Sequence, residues 1–299
     1  THLNHIYRVK AGSSVYYFRV PLHGWRSLTD TLEETEYLFY LANRGLPVAP
    51  PVNDRDGNCV QVVPAPEGDR YAVLFNEAKG TPYDPNNRLQ NKRFGQLVGQ
   101  LHRFSREWAN KRGKAIQKEK MDLESLLQAP VRRICRSLAH RPHDINFLQT
   151  VAREIEEKFS CLGLDKLDIG ICHGDLHTRN VHFDESLNPT LFDFDCFGPG
   201  WLEYDIAVYL YSLLHSPAVS SGKVPYMPVF YQFIEGYREN VDFSSQLMET
   251  VGWLGVVRHL WGFGLNVFLE SHMGCKTMMN NEFVDKQIHE VKTMIGHVK

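Results

Sequence analysis

The order of strand and helix patterns along the chain predicts an α+β fold with a small β-rich N-terminal part and a larger, mostly helical C-terminal part. Runs of β-forming residues cluster before residue 78, whereas amphipathic helical spacing begins near Asn87. One short β-rich island, residues 169–194, interrupts the helical part. The chain has 299 residues, which is enough for two modest domains or one large one.

A hairpin is predicted over residues 5–20, because two runs of β-formers flank the turn residues 11–14. Side chains alternate along a strand, so Arg19 and Tyr17 share one face of the second strand. The chain starts at Thr1, close to this strand pattern. We therefore expect that some N-terminal residues of the native protein precede it.

A helix is predicted over residues 31–44. Thr29 or Asp30 is its candidate N-cap, and Gly45 stands where a helix commonly ends. By helical spacing, Glu34 lies on about the same side as the apolar face. This helix is the only one expected in the N-terminal part.

Two further strands are predicted at residues 59–63 and 71–75, and they are followed by a polar, Gly- and Pro-containing candidate hinge at residues 76–82. An amphipathic helix around residues 94–104 begins the helical part. Later helical patterns occur at residues 123–138, 144–159, 205–214, 227–238, 245–268 and 282–295.

Composition excludes several classes of protein. Lys and Arg number 33 and Asp and Glu 35, so the net charge is −2, without the basic excess that nucleic-acid binders use. No apolar run approaches the roughly 18–20 residues of a membrane span, and no signal-peptide pattern is present. The six cysteines form no CxxC pair, which favours reduced thiols in the cytoplasm over a zinc site. We therefore expect neither a nucleic-acid nor a membrane partner.

The β-rich island carries the residues with the most chemical information. His-Gly-Asp at 173–175 is followed by Asn180, and a strand-like Leu-Phe pair then leads to Asp193. A loop followed by a hairpin would bring Asp175, Asn180 and Asp193 together. Carboxylate and amide oxygens suit Mg²⁺, which keeps several waters and takes further ligands from phosphates. One Asp and the Asn would hold the metal, while the second Asp would orient a hydroxyl and accept its proton, as in phosphoryl transfer.

These residues also have a purely structural interpretation. His-Gly-Asp occurs by chance, and an Asp in a tight turn is often only a turn former. The full pattern is far more specific, because Asn180 follows Asp175 by five residues and an apolar-flanked Asp193 follows after thirteen more. We therefore assign a function to the island.

Three motifs resemble the aminoglycoside phosphotransferase superfamily, which also contains choline kinases, certain homoserine kinases and a bacterial stress-response Ser/Thr kinase. They are HGDLHTRN at 173–180, LFDFD at 191–195 and GWLEYDIA at 200–207. The resemblance implies a bilobal, protein-kinase-like fold. It implies an ATP-binding N-lobe at residues 1–78 and a helical C-lobe, 79–299, with the catalytic loop and the acceptor site.

The resemblance also implies roles for the residues of the island. Asp175 would be the catalytic base, and Asn180 and Asp193 would be the ligands of Mg²⁺. His173 would brace the catalytic loop by hydrogen bonding, and Asp205 would tie the following helix to that loop.

The nucleotide-binding residues are implied in the same way. Arg19 would be the phosphate-binding cation, at a place where most relatives have lysine, and Glu34 would pair with it; Glu33 and Glu36 are competitors for that pairing. Arginine keeps the positive charge and forks onto phosphate oxygens. The hinge whose backbone meets adenine would consist of Phe75, Asn76, Glu77 and Ala78.

Several other residues have two interpretations. Asp195 is a third acidic group near the metal or faces away from it, and His177 lies within reach of an acceptor or faces solvent. The basic segment 111–120 is interpreted as a solvated surface, with polyanion binding as the alternative. Aromatic residues such as Trp201 and Trp253 fit core packing or a cage for a quaternary ammonium. Four glycines in residues 252–264 fit close helix packing or a groove wall.

We therefore expect a Mg²⁺- and ATP-dependent phosphotransferase that moves the γ-phosphate to a hydroxyl of a small molecule, of the aminoglycoside, amino alcohol or sugar type. A protein Ser/Thr kinase of the same plan is one alternative. A nucleotide-binding pseudokinase is the other, and the Arg19 substitution is the feature in its favour.

Overall fold

The structure is a computed structural model that describes residues 3–113, 115–163, 167–244, 247–273 and 279–298. Thr1 and Lys114 lie outside the described residues. The chain divides into two compact units. The first unit consists of residues 1–118, 173–198 and 213–243, and the second of residues 119–172, 199–212 and 244–299.

The strands are β1 (Asn4–Ala11), β2 (Ser14–Pro21), β3 (Val60–Val63), β4 (Arg70–Asn76), β5 (Thr81–Pro82), β6 (Ile169–Cys172), β7 (Val181–Phe183), β8 (Pro189–Leu191) and β9 (Gly198–Trp201). The helices are α1 (Leu28–Asn43), α2 (Arg88–Lys111), α3 (Ala129–Ser137), α4 (Pro142–Leu162), α5 (Leu202–Leu214), α6 (Pro217–Ser220), α7 (Tyr226–Tyr237), α8 (Leu247–Met273) and α9 (Asn281–Val298). A π-helical segment (Glu124–Gln128) precedes α3, and a 3-10 turn (Phe194–Cys196) follows β8.

A four-stranded antiparallel sheet in the order β1-β2-β4-β3 begins the first unit. The predicted hairpin and the two predicted later strands supply it. Strand β2 is one of the two inner strands, and Arg19 lies opposite Ile6 on β1 and Val73 on β4. Arg19 and Tyr17 line the same cavity, which the alternation along β2 predicts.

Helix α1 begins earlier than the sequence analysis predicts, and the predicted caps Thr29 and Asp30 are wrong. The cap is Ser27, whose hydroxyl accepts from Asp30 N at 3.1 Å, while the Asp30 carboxylate accepts from Ser27 N at 2.9 Å. This reciprocal capping box satisfies two backbone donors at once, which a single cap at Thr29 could not do. The C-terminus is as predicted, since Gly45 follows with a left-handed φ of 77°.

Helices α2 and α7 cross closely in the first unit. A Cβ atom on Gly95 would lie 1.9 Å from the Phe233 carbonyl oxygen, and one on Gly236 would lie 1.9 Å from the Lys92 carbonyl oxygen. The two backbones approach each other at these positions because neither glycine has a side chain. Phe94 and Phe233 pack edge to face beside the crossing, with ring centroids 5.4 Å apart.

Helix α8, in the second unit, contains the four glycines that the sequence analysis interprets as helix packing or a groove wall. Gly264 packs against Pro130, and a Cβ atom on Gly264 would lie 2.7 Å from the Pro130 Cβ. Gly252 faces the side chain of Val298, whereas a Cβ atom on Gly262 would have no other atom within 4 Å. Close packing therefore explains Gly264.

None of the helices in the described part of the chain combines the length and the apolar character of a membrane span.

Gly95→Ala is expected to destabilise the protein by about 1–3 kcal/mol, because the added methyl forces α2 and α7 apart. Gly262→Ala is the matched control, and it should be neutral or stabilising by about 0.5–1 kcal/mol, since a helix interior favours alanine where there is room. Urea denaturation measures both free energies of unfolding. Equal effects of the two changes would contradict the crossing.

Candidate active site

A cavity of about 300 Å³ lies within the first unit. Its walls are mostly apolar and come from the sheet, α1 and the segments around β4 and β8; they include Ile6, Tyr17, Leu38, Ala49, Phe75 and Phe192. Charged side chains, Arg19, Arg179 and Asp193, also line the cavity. A pocket with apolar walls and a few charged groups suits a ligand with a flat ring system and an anionic group.

Arg19 and Glu34 form a buried ion pair beside this cavity. Two parallel hydrogen bonds, of 2.9 and 2.5 Å, join the guanidinium to the carboxylate, and the side chains are 6% and 1% exposed. Burial acts to lower the pKa of Arg19, but the charge of Glu34 raises it above the usual value, so Arg19 stays charged. The competitors Glu33 and Glu36 instead pair with Arg112.

The segment 173–180 is a loop held by its own backbone and by His173. Gly174 has a left-handed φ of 77°, which lets the chain turn sharply before Asp175. His173 Nδ1 accepts from Asp175 N at 3.3 Å, and its Nε2 lies 3.1 Å from the Phe192 carbonyl oxygen. Both contacts are satisfied when Nε2 carries the proton. The backbone carbonyl of Asp175 accepts a 3.0 Å hydrogen bond from Asn180 Nδ2.

Asp193 follows β8 in a left-handed conformation, with φ of 62° and ψ of 61°. Non-glycine residues adopt this conformation only when their surroundings compensate its cost. On one side of Asp193, Phe192 N donates to the Asn180 carbonyl at 3.1 Å. On the other, the Phe194 ring packs 4.3 Å from the His173 ring. These contacts hold the residues on both sides of Asp193, and the first joins its preceding neighbour to Asn180.

The side chains of Asn180 and Asp193 fit a divalent cation. Asp193 Oδ1 is buried and, among the described residues, accepts no hydrogen bond; its nearest cation is Arg19 Nη1, at 3.5 Å. Burial raises the pKa of Asp193 to about 6, against the lowering effect of Arg19. The bond from Asn180 Nδ2 leaves its amide oxygen for a ligand. Mg²⁺ needs only a few protein ligands of this kind, because it keeps several waters and takes further ligands from phosphates.

His177 lies against Asp175, with its Nε2 3.3 Å from Asp175 Oδ2. His177 therefore does not only face solvent, because its partly exposed ring also contacts the predicted base. The Asp175 side chain is 22% exposed, so one side of the carboxylate remains accessible.

Three of the four predicted hinge residues, Phe75, Asn76 and Ala78, line the cavity. His182 and Arg179 also line it, and the sequence analysis missed both. His182 Nδ1 lies 2.8 Å from the Ala78 carbonyl oxygen, which joins β7 to the hinge segment. Alternation along β7 is a signal that could have found His182, because Val181 and Phe183 on either side are buried in the core.

Asp195 is buried and is not among the cavity residues. Burial acts to raise its pKa, but Arg26, Arg19 and Lys118 together hold the pKa well below its usual range, so the carboxylate stays charged. Lys118 itself is only 7% exposed, so the interpretation of segment 111–120 as a solvated surface is wrong for this residue. Burial, followed by the charge of Arg26, lowers the pKa of Lys118 to about 8.

Asp205 is buried in the second unit, and its tie to the catalytic loop stays a prediction.

The fold and this arrangement of side chains define the class of kinase-like phosphotransferases. The chain belongs to the phosphotransferase enzyme family, whose sequence model matches residues 2–223. Amicoumacin kinase of Bacillus subtilis is 25% identical to it over 267 residues, which are 88% of this chain and 76% of that protein.

Two solved structures show the same fold. Amicoumacin kinase hAmiN in complex with AMP-PNP, Ca²⁺ and Ami has a TM-score of 0.76 at 22% identity, covering 98% of this chain and 85% of its own. The microcompartment-associated aminopropanol kinase has a TM-score of 0.75 at 20% identity, covering 97% of this chain and 87% of its own. The predictions of the family, the fold class and a phosphotransferase activity are confirmed. The roles of the individual site residues and the lobe boundary at residue 78 stay predictions.

Glu34→Gln is expected to lower the free energy of unfolding by about 3 kcal/mol, because it leaves the buried guanidinium of Arg19 without its opposite charge. Glu36→Gln is the matched control. The Glu36 side chain is 43% exposed, and the loss there should be about 1 kcal/mol or less. Urea denaturation of both variants gives the comparison, and a Glu34 effect no larger than that of Glu36 would contradict this assignment.

Proposed function

We propose that this protein transfers the γ-phosphoryl group of ATP, with Mg²⁺, to a hydroxyl group of a small amine-bearing molecule. The observation that carries the proposal is the set of contacts that joins Asp175 to Asn180 and Asn180 to the residue before Asp193, whose side chain lines the cavity. Asn180 Nδ2 donates to the backbone carbonyl of Asp175 at 3.0 Å, and Phe192 N donates to the Asn180 carbonyl at 3.1 Å. A cytoplasmic location, which the scattered cysteines favour, stays a prediction.

Each part of the nucleotide is assigned to a different part of the cavity in this proposal. The adenine ring would lie between the apolar walls, near Leu38 and Phe192, with the backbone of the hinge residues at its edge. The phosphates would extend toward Arg19 and Arg179. Arg19 is largely neutralised by Glu34, whereas Arg179 is exposed and has no ion-pair partner within the described residues. Arg179 therefore supplies positive charge that no carboxylate among the described residues balances.

Asn180 and Asp193 would hold Mg²⁺ through the amide oxygen and the buried Oδ1. When bound, the metal neutralises charge on the phosphates.

Asp175 would orient the acceptor hydroxyl and accept its proton at a carboxylate oxygen. Hydrogen bonds from His177 N at 2.7 Å and from Asn180 Nδ2 at 3.0 Å hold its backbone carbonyl. His173 holds its backbone N–H. The side chain is thus presented from a fixed backbone, as a positioned base requires.

The acceptor class rests on the relatives. Amicoumacin kinase and aminopropanol kinase are named for an antibiotic and an amino alcohol. A small molecule that carries both an amine and a hydroxyl is therefore the acceptor we favour over a protein. The pseudokinase alternative loses its main support, since Arg19 keeps both the charge and the carboxylate partner that lysine would have.

Asp175→Asn is expected to reduce phosphoryl transfer by about 10²- to 10⁴-fold, because the amide cannot accept the proton of the hydroxyl. Nucleotide binding should be unchanged, since Asp175 does not line the cavity. The rate of phosphoryl transfer is measured with labelled γ-phosphate and a panel of amino alcohols, aminoglycosides and a generic protein. Nucleotide affinity is measured by calorimetry with ADP. Full activity in the variant would remove Asp175 from its role, and transfer to the protein alone would favour the protein-kinase alternative.

Arg179→Ala is expected to weaken ATP binding about 3- to 10-fold, because it removes an unbalanced cation near the phosphates. The loss should grow from AMP to ADP to ATP and be absent for adenosine, and it should shrink at high salt. Arg55→Ala, an exposed arginine away from the cavity, is the control. An equal loss for adenosine would place Arg179 at the ribose or the base instead.

A further inference from the structure

Asp195 is the centre of a buried group of hydrogen bonds next to the predicted metal ligand Asp193. Its Oδ2 accepts from Asn4 Nδ2 at 3.0 Å and from Trp25 Nε1 at 2.7 Å, and its Oδ1 accepts from Arg26 Nε at 3.0 Å. Its backbone carbonyl accepts from Arg26 Nε at 2.9 Å and from Lys118 Nζ at 2.7 Å. The residue is only 4% exposed.

The donors come from three separate parts of the first unit. Asn4 begins β1, Trp25 and Arg26 lie in the connection from β2 to α1, and Lys118 lies beyond the end of α2. The last of these is itself fixed, since Lys118 N donates to the carboxylate of Glu33 on α1 at 3.1 Å. The sheet, α1 and the segment after α2 are thereby joined to the 3-10 turn that carries Asp195.

Asp195 is not available as a metal ligand. Both of its carboxylate oxygens already accept from N–H donors, and the guanidinium of Arg26 lies against one of them. A cation placed there would face the positive charges of Arg26 and Lys118 at short range. The interpretation of Asp195 as a third acidic ligand is therefore wrong.

The position of Asp195 in the chain indicates what the group does. Asp193, two residues earlier, has a left-handed backbone and a buried carboxylate oxygen without a hydrogen bond among the described residues. Both features are unfavourable unless the surroundings over-determine them. His173 and Asn180 hold the residues before Asp193, and the Asp195 group holds the residues after it.

We propose that Asp195 is a positioning residue that fixes the carboxylate of Asp193 for the divalent cation of the nucleotide complex. The proposal rests on the proposed function, because it assumes that Asp193 is the metal ligand. It predicts that four residues outside the cavity contribute to metal affinity through Asp195: Asn4, Trp25, Arg26 and Lys118. Outer-shell partners of metal ligands act in this way in other sites.

The test is the binding of Mn²⁺ in the presence of saturating ADP, followed by electron paramagnetic resonance. Asp195→Asn is expected to weaken Mn²⁺ binding about 10- to 100-fold, and Trp25→Phe, which removes one hydrogen bond, about 3- to 10-fold. The affinity for ADP without metal should stay unchanged. Asp54→Asn is the matched control, because Asp54 accepts three hydrogen bonds in the first unit away from the cavity.

Circular dichroism and thermal unfolding show whether each variant is folded, and Trp25→Phe decides the question if Asp195→Asn does not fold. Mn²⁺ affinity equal to that of the Asp54 control in a folded variant would overturn the positioning role alone. A wild-type protein that binds no Mn²⁺ with ADP would overturn the proposed function together with it. Selective weakening of metal binding would support both.

Discussion

The buried pair of Arg19 and Glu34 is the interaction on which the candidate site depends. Arg19 lies on an inner strand of the sheet, and Glu34 lies on α1, so their two hydrogen bonds join the sheet to its helix. Taking two charges out of water costs several kcal/mol for each ion, and their attraction offsets this only when the geometry is good and other polar partners are present. The bidentate geometry and the nearby carboxylate of Asp193 supply both conditions.

Neighbouring carboxylates in this part of the molecule differ in pKa because their surroundings differ. Asp193 and Asp195 are separated by one residue, yet burial raises the pKa of the first, while three cations lower that of the second. Within the described residues, Asp193 has a carboxylate oxygen that accepts no hydrogen bond, whereas both carboxylate oxygens of Asp195 accept hydrogen bonds. One carboxylate is therefore suited to bind a cation and the other to hold the structure in place.

Sequence reasoning succeeded where the relevant spacing is local. Strand alternation placed Arg19, helical spacing placed Glu34, and the loop motif placed Asp175 near Asn180. It failed where partners are distant, since Asn4 and Asp195 are 191 positions apart and Lys118 and Asp195 are 77 apart. It also missed Ser27 as a cap, because the capping box extends the helix beyond its apolar pattern. Nothing in the order of residues shows that a lysine in a basic segment turns inward to a backbone carbonyl.

The first unit is built from three separate stretches of the chain, and this affects how it folds during synthesis. The first unit needs residues 1–118, 173–198 and 213–243, and α2 packs against α7 from a position about 140 residues earlier. During translation, the apolar faces and charged groups of the early sheet and α2 therefore stay uncovered until residues 173–198 and 213–243 have been synthesised. We expect slow, late completion of this unit, and a nascent chain that is exposed to aggregation until residue 243 has emerged.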